Sequence, residues 1–380
     1  MADVLVVGGG IAGAAAGWFL ARQRGGSRVT LLEAEGAPGM HATGRSAALF
    51  SEYFGNAAVR ALTRHSRAFY AAPPAGFAAG ALLAPRGVLA LGTPETAAAF
   101  EVAKAAGAGA PRPAVELTAA AALALCPLLH PGAFDRALHK PGACDIDVDA
   151  AHQGFLRGLR AAGGTVVTGA RVTGLGRRGG RWHAATSVGG FSAPLVVNAA
   201  GAWADDVARL AGVAPAGLVA YRRTAALAPV PDGHDVTGWP MVTDVADTFY
   251  ARPEPGGLLL SPADATPMVP GPVRHDDTDV ALAIARFEAM VALPLRHVSH
   301  AWAGLRTAAL DDTPVIGPDP DAPGFCWLAG LGGYGIQTAP AAGELLAALA
   351  AGDAPPTALR SLVADVTPVR TRTRTRTAPL

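Results

Sequence analysis

The first 33 residues contain the pattern that most constrains the fold. Gly8, Gly10 and Gly13 have GxGxxG spacing, directly after the apolar run Val4 to Val7 and before an Ala-rich stretch. An apolar run without alternation is typical of a parallel strand that is buried on both faces. Strand, glycine turn and helix in this order predict a dinucleotide-binding βαβ unit.

Each glycine of this motif has a separate physical role. Gly8 permits the tight turn, Gly10 lets a pyrophosphate approach the backbone at the helix N-terminus, and Gly13 permits close packing of helix and strand. Glu33 follows the second strand, where a carboxylate accepts from the ribose hydroxyls and repels a 2′-phosphate. FAD or NAD is therefore expected, and NADP is disfavoured. The residues predicted to hold the nucleotide here are Gly8, Gly10, Ile11, Ala12, Gly13, Glu33 and Ala34.

The length and patterning of the chain predict two domains. At 380 residues the chain exceeds the usual size of one core. Strand and helix patterns typical of the nucleotide-binding domain occupy 1–50, 142–214 and 300–352, so that domain is expected to be discontinuous. Extended segments between them predict an inserted antiparallel-sheet substrate domain from 51–141 and 215–299, followed by a C-terminal extension over 353–380.

Composition narrows the class of partner. Charged residues make up 16% of the chain, and the net charge is +1. This charge produces no electrostatic field strong enough to favour nucleic acid, so a small neutral or zwitterionic ligand is expected. No transmembrane segment is predicted, and without a basic leader or cleavage site a cytoplasmic location is expected. Arg and Thr alternate over 370–377, a pattern interpreted as a disordered, solvated tail. Cys126, Cys144 and Cys326 are isolated, so neither a disulfide framework nor a metal site is predicted.

Further motifs resemble one flavoprotein family. These are GAPGMHATGRSAA over 36–48, NAAGAW over 198–203, WAGLR over 302–306, DTPVIG over 312–317 and GGYGIQTAP over 332–340. Together they resemble the FAD-dependent D-amino-acid oxidase superfamily over nearly the whole chain, and within it the D-arginine dehydrogenase-like D-amino-acid dehydrogenases. The resemblance implies an α/β fold, with a Rossmann-like FAD-binding domain of the glutathione-reductase-like kind and the inserted antiparallel-sheet substrate domain.

The resemblance also assigns the flavin side of the site. A glycine loop that leads into a helix N-terminus stabilises the negative charge of a reduced flavin, which gives the segment from Gly333 to Thr338 a role through its backbone. FAD is expected to be non-covalent, because Cys326 lies in the strand before this loop, and His41 is the one weaker candidate for a covalent link. The implied cofactor residues are His41, Thr43, Gly44, Arg45, Ser46, Ala48, Val172, Ala200, Gly201, Trp203, Gly304, Gly333, Tyr334, Gly335, Ile336, Gln337 and Thr338.

The substrate side of the resemblance provides a carboxylate clamp. The planar fork of Arg306 suits bidentate binding of an amino-acid carboxylate, and Tyr250 matches a tyrosine that reaches the same group. Arg223 is a further candidate, although adjacent Arg222 makes that assignment ambiguous. Together with Gly333, these form the expected catalytic set.

Departures from the D-arginine dehydrogenase pattern predict the specificity. Val88 stands where that relative has a glutamate, and Leu49 and Phe54 replace a histidine and a tyrosine. The expected pocket, which also includes Ser51 and Tyr53, favours apolar D-amino acids. Their oxidative deamination transfers hydride from Cα to flavin N5, and the imino acid hydrolyses to a 2-oxo acid.

Two alternatives stay open at this point, as does the electron acceptor. One is oxidation of a secondary amine acid of the sarcosine or proline type, and the other, more remote, is an FAD-binding protein without turnover. Oxygen and a quinone are both possible acceptors, because a few side chains around the flavin decide between them.

Overall fold

The computed structural model describes residues 2–23 and 26–373. Its strands in chain order are β1 (Val4–Val7), β2 (Val29–Leu32), β3 (Leu49–Phe50), β4 (Leu83–Pro85), β5 (Val88–Gly92), β6 (Val115–Leu117), β7 (Arg136–Lys140), β8 (Cys144–Ile146), β9 (Thr165–Val167), β10 (Val172–Arg178), β11 (Arg181–Thr186), β12 (Gly189–Ala193), β13 (Leu195–Asn198), β14 (Val219–Ala228), β15 (Met241–Asp244), β16 (Tyr250–Glu254), β17 (Gly257–Ser261), β18 (Thr266–Met268), β19 (His300–Ala308), β20 (Val315–Pro318), β21 (Phe325–Ala329) and β22 (Leu331–Gly332).

The helices of the described residues connect these strands. They are α1 (Ile11–Ala21), α2 (Ala57–Ala71), α3 (Ala97–Ala108), α4 (Ala119–Leu125), α5 (Val148–Ala161), α6 (Ala204–Leu210), α7 (Asp277–Met290), α8 (Gly335–Ala351), α9 (Val363–Val366) and α10 (Val369–Thr373), with short 3₁₀ turns at Pro94–Thr96, Gly201–Trp203 and Thr357–Leu362. None of these helices combines the length and the apolar composition that crossing a membrane requires.

The nucleotide-binding domain is built on a six-stranded sheet in the order β20-β21-β13-β1-β2-β9. All neighbours are parallel except β20, which runs antiparallel to β21. The central strand β1 is buried along its whole length, which explains its unbroken apolar sequence. Helix α1 packs against α5 and α8, and Trp18 makes edge contacts with Phe69, Phe77 and Phe155 in the same core.

The substrate domain is a larger, mostly antiparallel sheet. Its strands follow the order β22-β19-β14-β17-β16-β15-β5-β7-β6, and β18 lies beside β14. Of its neighbouring strands, β5 and β15 run parallel to each other. The mixed fold predicted from the sequence, a Rossmann-like sheet with an inserted antiparallel sheet, is confirmed.

The strand registers place several polar side chains on one face of the larger sheet. Directly paired residues share a face, as do residues two positions apart along one strand. Following the pairs from β19 to β7 places Arg306, Arg223, Tyr250, Val88 and Lys140 on the same side. An apolar core that includes residues of α4 and α7 covers the opposite face.

Two expectations about the chain need correction. The domain boundary predicted at residue 300 falls inside the larger sheet, because β19 pairs with β14 from His300 to Ala308. The predicted solvated tail begins later than residue 370, since Arg370 Nε lies 3.0 Å from Asp311 Oδ2 and is held by that ion pair. Residues 374–380 lie outside the described part of the chain.

Candidate active site

A continuous cleft separates the two sheets and runs from Glu33 to Arg306. Its walls come from the ends of β1 and β2, the start of α1, the loop after β2, strand β19 and the loop before α8. The predicted residues that line it are Gly8, Gly10, Ile11, Ala12, Glu33, Ala34, His41, Thr43, Arg45, Ser46, Val172, Ala200, Gly201, Trp203, Arg223, Tyr250, Gly304, Arg306, Gly333, Gly335 and Ile336.

The glycines of the first motif are required by close backbone contacts. Gly8 has a φ of +108°, and a Cβ on it would lie 2.4 Å from the carbonyl oxygen of Ala199. A Cβ on Gly13 would lie only 1.9 Å from the carbonyl oxygen of Gly8, so helix α1 presses against the turn. These contacts leave the backbone at the start of α1 open to the cleft, the arrangement that a pyrophosphate needs.

Glu33 is held at the end of β2 by two backbone donors. Its Oε2 accepts from Gly9 N at 2.7 Å, and its Oε1 accepts from Glu35 N at 2.8 Å. Each carboxylate oxygen keeps a second lone pair, which can accept from a ribose hydroxyl. The residue at this position therefore fits an adenosine ribose.

The loop after β2 joins the two domains. Thr43 Oγ1 accepts from Ile11 N at 3.0 Å, so the hydroxyl caps the first turn of α1. Two residues later, Arg45 Nη1 donates to the carbonyl of Ala303 in β19 at 2.8 Å. Trp302 Nε1 in turn donates to the carbonyl of Arg45 at 3.3 Å. This loop thus fixes the substrate sheet relative to the nucleotide-binding helix.

On the Glu33 side, the cleft has a wall of aromatic and charged side chains. His41 Nε2 lies 3.1 Å from Glu35 Oε1, and its ring centroid lies 4.7 Å from that of Trp203. Arg171 also reaches Glu35, at 3.2 Å, and the sequence contains no signal for this arginine. Cys326, by contrast, is buried in β21 and is absent from the lining of the cleft.

The glycine loop before α8 presents free backbone donors. The first bond of the helix runs from Thr338 N to the carbonyl of Tyr334 at 3.1 Å. The N–H groups that precede it in this turn have no partner within the helix, and Gly333, Gly335 and Ile336 line the cleft. An anionic group would be stabilised at this helix N-terminus.

Two side chains predicted to lie at the cofactor form hydrogen bonds within the protein. Gln337 accepts from Ser51 N at 3.0 Å and donates to Thr63 Oγ1 at 2.9 Å, so its side chain ties α8 to the loop after β3. Thr338 Oγ1 donates to the carbonyl of Tyr334. The predicted cofactor residues that are absent from the cleft lining are Gly13, Gly44, Ala48, Tyr334, Gln337 and Thr338.

Three polar side chains meet at the substrate end. Arg306 lies against the glycine loop, where a Cβ on Gly333 would be 2.7 Å from its Nη1. Arg223 Nε donates to the carbonyl of Asp264 at 2.7 Å, while its buried Nη1 has no partner among the described residues. Tyr250 is 4% exposed and lines the same part of the cleft. Burial, and then the charge of Arg306, lower the pKa of Arg223.

The ambiguity between the two adjacent arginines of β14 is resolved by their partners. Arg222 Nη2 lies 2.7 Å from Asp279 Oδ2 and its Nε lies 3.4 Å from Asp264 Oδ2, so its charge is neutralised on the other face of the sheet. Arg223 is the one of the two that lines the cleft.

The residues predicted for the side-chain pocket are absent from the lining of the cleft. Leu49, Phe54 and Val88 belong to an apolar cluster with Tyr250, and Val88 is completely buried. The hydroxyl of Tyr53 donates to the carbonyl of Arg112 and accepts from Gly142 N at 2.8 Å, so it is occupied within the protein.

The loop after β3 contains a further acid that is not available to a ligand. Ser51 is buried beside Tyr53. Next to it, Glu52 Oε1 lies 3.0 Å from Arg67 Nε, which neutralises this carboxylate.

Two charged residues of the substrate end were not predicted. Asp247 lies in the turn between β15 and β16 with a φ of +54°. Desolvation by the surrounding protein raises the pKa of its carboxyl, although the residue itself is exposed, and the charges of Arg223 and Arg306 oppose that shift. Lys140 in β7 is 4% exposed, and its Nζ lies 4.3 Å from the ring centroid of Phe54. The sequence gives little indication of this position. Lys140 is one of two lysines, and the face of the sheet on which it lies depends on the pairing of β7 with β5.

Comparisons with known proteins agree with this geometry. The model of the family "DAO: FAD dependent oxidoreductase" matches residues 3–349. The mitochondrial dimethylglycine dehydrogenase of Mus musculus is 27% identical over 241 residues, which are 58% of this chain and 28% of that protein. The chain thus spans less than a third of the length of this relative.

Solved structures show the same fold. Glycine oxidase from Geobacillus kaustophilus superposes with a TM-score of 0.82 at 24% identity and covers 95% of this chain and 97% of its own. L-proline dehydrogenase from P. horikoshii gives 0.80 at 20% identity, with 98% of both chains covered. With a family model that matches most of its length and a cleft that fits a dinucleotide, the chain belongs to the DAO family of FAD-dependent oxidoreductases.

Proposed function

We propose that the protein oxidises the C–N bond of a secondary amine acid, a substrate of the sarcosine or proline type. The observation that carries the proposal is the group of Arg306, Arg223 and Tyr250 at one end of the flavin cleft. The guanidinium of Arg306 lies against the loop at Gly333, and the buried Nη1 of Arg223 has no partner among the described residues. Buried donors without partners are costly, so a ligand with acceptor oxygens is expected there.

The protein's own residues bind and orient this ligand. The fork of Arg306 donates two hydrogen bonds to the substrate carboxylate, and the hydroxyl of Tyr250 donates a third. Arg223 Nη1 is a further donor toward the same oxygens. Holding the carboxylate in this way fixes the direction of the C–H bond next to nitrogen.

The electron balance requires no additional catalytic group. When bound, FAD would supply the acceptor for the hydride that leaves the carbon next to nitrogen, while the nitrogen lone pair forms the C=N bond. Water hydrolyses that bond to a carbonyl compound and an amine, and oxygen or a quinone finally takes the two electrons. FAD is expected to be held without a covalent bond, because Cys326 is buried away from the cleft.

The comparisons favour this substrate class over the predicted apolar D-amino acids. The names of the similar proteins point to dimethylglycine and proline, whose amine nitrogens carry further carbon substituents, and to glycine, which has no side chain. The narrower resemblance to D-arginine dehydrogenases has no counterpart among them. Oxidation of apolar D-amino acids therefore becomes the competing outcome of the test.

The test is anaerobic mixing of the purified holoenzyme with a substrate panel while flavin absorbance is followed. The panel contains sarcosine, L- and D-proline, D-leucine, D-methionine, D-arginine and L-leucine. We expect a secondary amine acid to bleach the flavin with the highest second-order rate constant. A D-leucine or D-methionine rate above every secondary amine rate would restore the D-amino-acid assignment. If no amine bleached the flavin, both the secondary-amine and the D-amino-acid assignments would be contradicted, and an FAD-binding protein without turnover would be supported.

A further inference from the structure

A proline interrupts the hydrogen bonding of α8 near its start. Pro340 lies in the second turn of this helix, which begins at Gly335. In an α-helix each N–H donates to the carbonyl four positions earlier, and proline has no N–H. The carbonyl of Ile336 therefore lacks the donor that position 340 would otherwise supply. Because Ile336 is buried, leaving this carbonyl without a partner would be costly.

Tyr70 supplies the missing donor. Its hydroxyl, in the last turn of α2, donates to the carbonyl oxygen of Ile336 at 2.5 Å. The residue is 1% exposed, and its ring makes edge contacts with Phe50 and Phe69. Burial holds the pKa of Tyr70 well above its usual range, so the hydroxyl stays protonated and remains a donor. A phenylalanine would make the same ring contacts, so the hydroxyl has a role separate from packing.

Two further residues of α2 bond to the same part of α8. Ser66 Oγ accepts from Ala341 N, directly after the proline, at 3.1 Å. Thr63 Oγ1 accepts from Gln337 Nε2 at 2.9 Å. Thr63, Ser66 and Tyr70 share one face of α2, because their spacing follows the helical repeat, and all three are buried. A row of satisfied, buried hydrogen bonds fixes one helix against another more narrowly than apolar contact alone.

The turn held in this way is the one that opens on the cleft. Gly335 and Ile336 line the cleft, and the N–H groups of this turn point toward the N-terminal end of α8. The carbonyl of Ile336 and the N–H of Gln337 belong to one planar peptide unit. A hydrogen bond to the oxygen therefore fixes the direction of that N–H. It also polarises the peptide, because hydrogen bonds in series strengthen one another.

We propose that Tyr70 is a positioning residue for FAD, whose hydroxyl replaces the bond that Pro340 removes and so holds and polarises the helix turn at the cleft. This turn stabilises the negative charge of a reduced flavin more than it stabilises the oxidised ring. Tyr70 thereby raises the reduction potential of the flavin, although the residue itself is absent from the cleft lining. The inference concerns the cofactor and goes beyond the proposed function, because it does not depend on which amine is oxidised.

The first experiment is Tyr70→Phe, which removes one oxygen and keeps the ring. The reduction potential is measured without substrate, by dithionite titration of the holoenzyme with a reference dye. Loss of one hydrogen bond should lower the equilibrium constant for reduction roughly three- to tenfold, which is about 15 to 30 mV for a two-electron couple. A wild-type potential in this variant, with normal FAD content, overturns the inference.

The affinity for oxidised FAD separates positioning from a purely structural role. A structural role would weaken the binding of oxidised and reduced flavin alike, and this would leave the potential unchanged, because the potential depends on the ratio of the two affinities. We expect the Kd of oxidised FAD, followed by flavin fluorescence on dilution of the holoenzyme, to stay close to the wild-type value. A raised Kd with an unchanged potential would assign Tyr70 to stability alone.

A matched control removes a buried donor elsewhere. Trp182 is buried, and its Nε1 donates to the carbonyl of Pro323 at 3.2 Å. The residue is absent from the cleft lining. Trp182→Phe should therefore lower the thermal stability and leave the reduction potential unchanged. A shift in this control as large as that in Tyr70→Phe would contradict the specific role of Tyr70.

A second substitution returns the donor to the helix itself. Pro340→Ala restores the N–H that donates to the carbonyl of Ile336 in a regular helix. The double variant Tyr70→Phe/Pro340→Ala should recover most of the wild-type potential, so the effects of the two changes are not additive. If Tyr70→Phe alone does not retain FAD, recovery of FAD in the double variant supports the inference. A double variant that recovers neither the potential nor the FAD overturns it.

Discussion

The two ends of the cleft are built by different means. At the nucleotide end, the protein uses backbone groups and close steric contacts, such as Gly13 against Gly8 and the two N–H donors that hold Glu33. At the substrate end, long charged side chains from separate strands converge with few partners of their own.

Because of this difference, substitutions at the two ends of the cleft should have different effects. A backbone contact leaves no space for an added atom, so a small substitution at the nucleotide end should affect folding and cofactor binding together. A partly unsatisfied side chain contributes little to stability, because its partner arrives with the ligand. Substitutions at the substrate end should therefore change kinetics while the protein stays folded and yellow.

Gly13→Ala should produce the largest effect. The added Cβ would lie 1.9 Å from the carbonyl oxygen of Gly8, so α1 or the turn must move. We expect destabilisation of about 3 kcal/mol or more, with most of the protein recovered without flavin. Flavin content and thermal unfolding measure this. Gly36→Ala is the control, since a Cβ there meets nothing within 4 Å; equal behaviour of the two variants would show that the turn relaxes freely.

Arg306→Lys should keep the fold but impair turnover. Lysine retains the charge and loses the bidentate fork, and losing a charge-assisted hydrogen bond costs about 1.5 to 3 kcal/mol. The second-order rate constant for flavin reduction should fall roughly 10- to 150-fold, with normal flavin content. Arg177→Lys, on the exposed hairpin of β10 and β11, is the control. Wild-type kinetics in Arg306→Lys would remove this residue from the site.

Gly333→Ala should show the smallest effect and the most selective one. Its Cβ would lie 2.7 Å from Arg306 Nη1, so the guanidinium must shift while the loop stays in place. Because a small misplacement of a binding group weakens orientation, the half-saturating substrate concentration should rise roughly three- to tenfold. Gly176→Ala, where a Cβ has open space, serves as control. Loss of FAD from Gly333→Ala would instead show that the loop is as rigid as the first glycine turn.

The sequence predicts the nucleotide end much better than the substrate end. A local pattern of strand, glycines, helix and acid was enough for the fold and for FAD, and both predictions are confirmed. The side-chain partners of Gln337 and Thr338 could not be read from the sequence, because Gln337 bonds to residues almost 300 positions away and Thr338 to the carbonyl of Tyr334, while the backbone role expected for this segment stays a prediction.

The substrate end depends on contacts between distant parts of the chain. Lys140 shares a sheet face with Arg306 only through the register of β5 with β7, and Asp247 lies in the turn that joins β15 to β16. No local pattern marks either residue. The boundary near residue 300 failed for the same reason, since β19 joins the larger sheet through its pairing with β14. The assigned roles of the site residues stay predictions until the variants are measured.

The contact between Arg306 and the loop at Gly333 has a thermodynamic consequence. The group proposed to hold the carboxylate rests on the segment whose N–H groups, at the start of α8, face the cleft proposed for the flavin. Reduction of the flavin would add negative charge at that helix end and so alter the affinity of Arg306 for the carboxylate. By linkage, binding of the carboxylate must change the reduction equilibrium of the flavin by the same factor. The midpoint potential of the flavin should accordingly depend on whether an anion is bound, so that substrate and product each set the driving force of the electron transfer in which they take part.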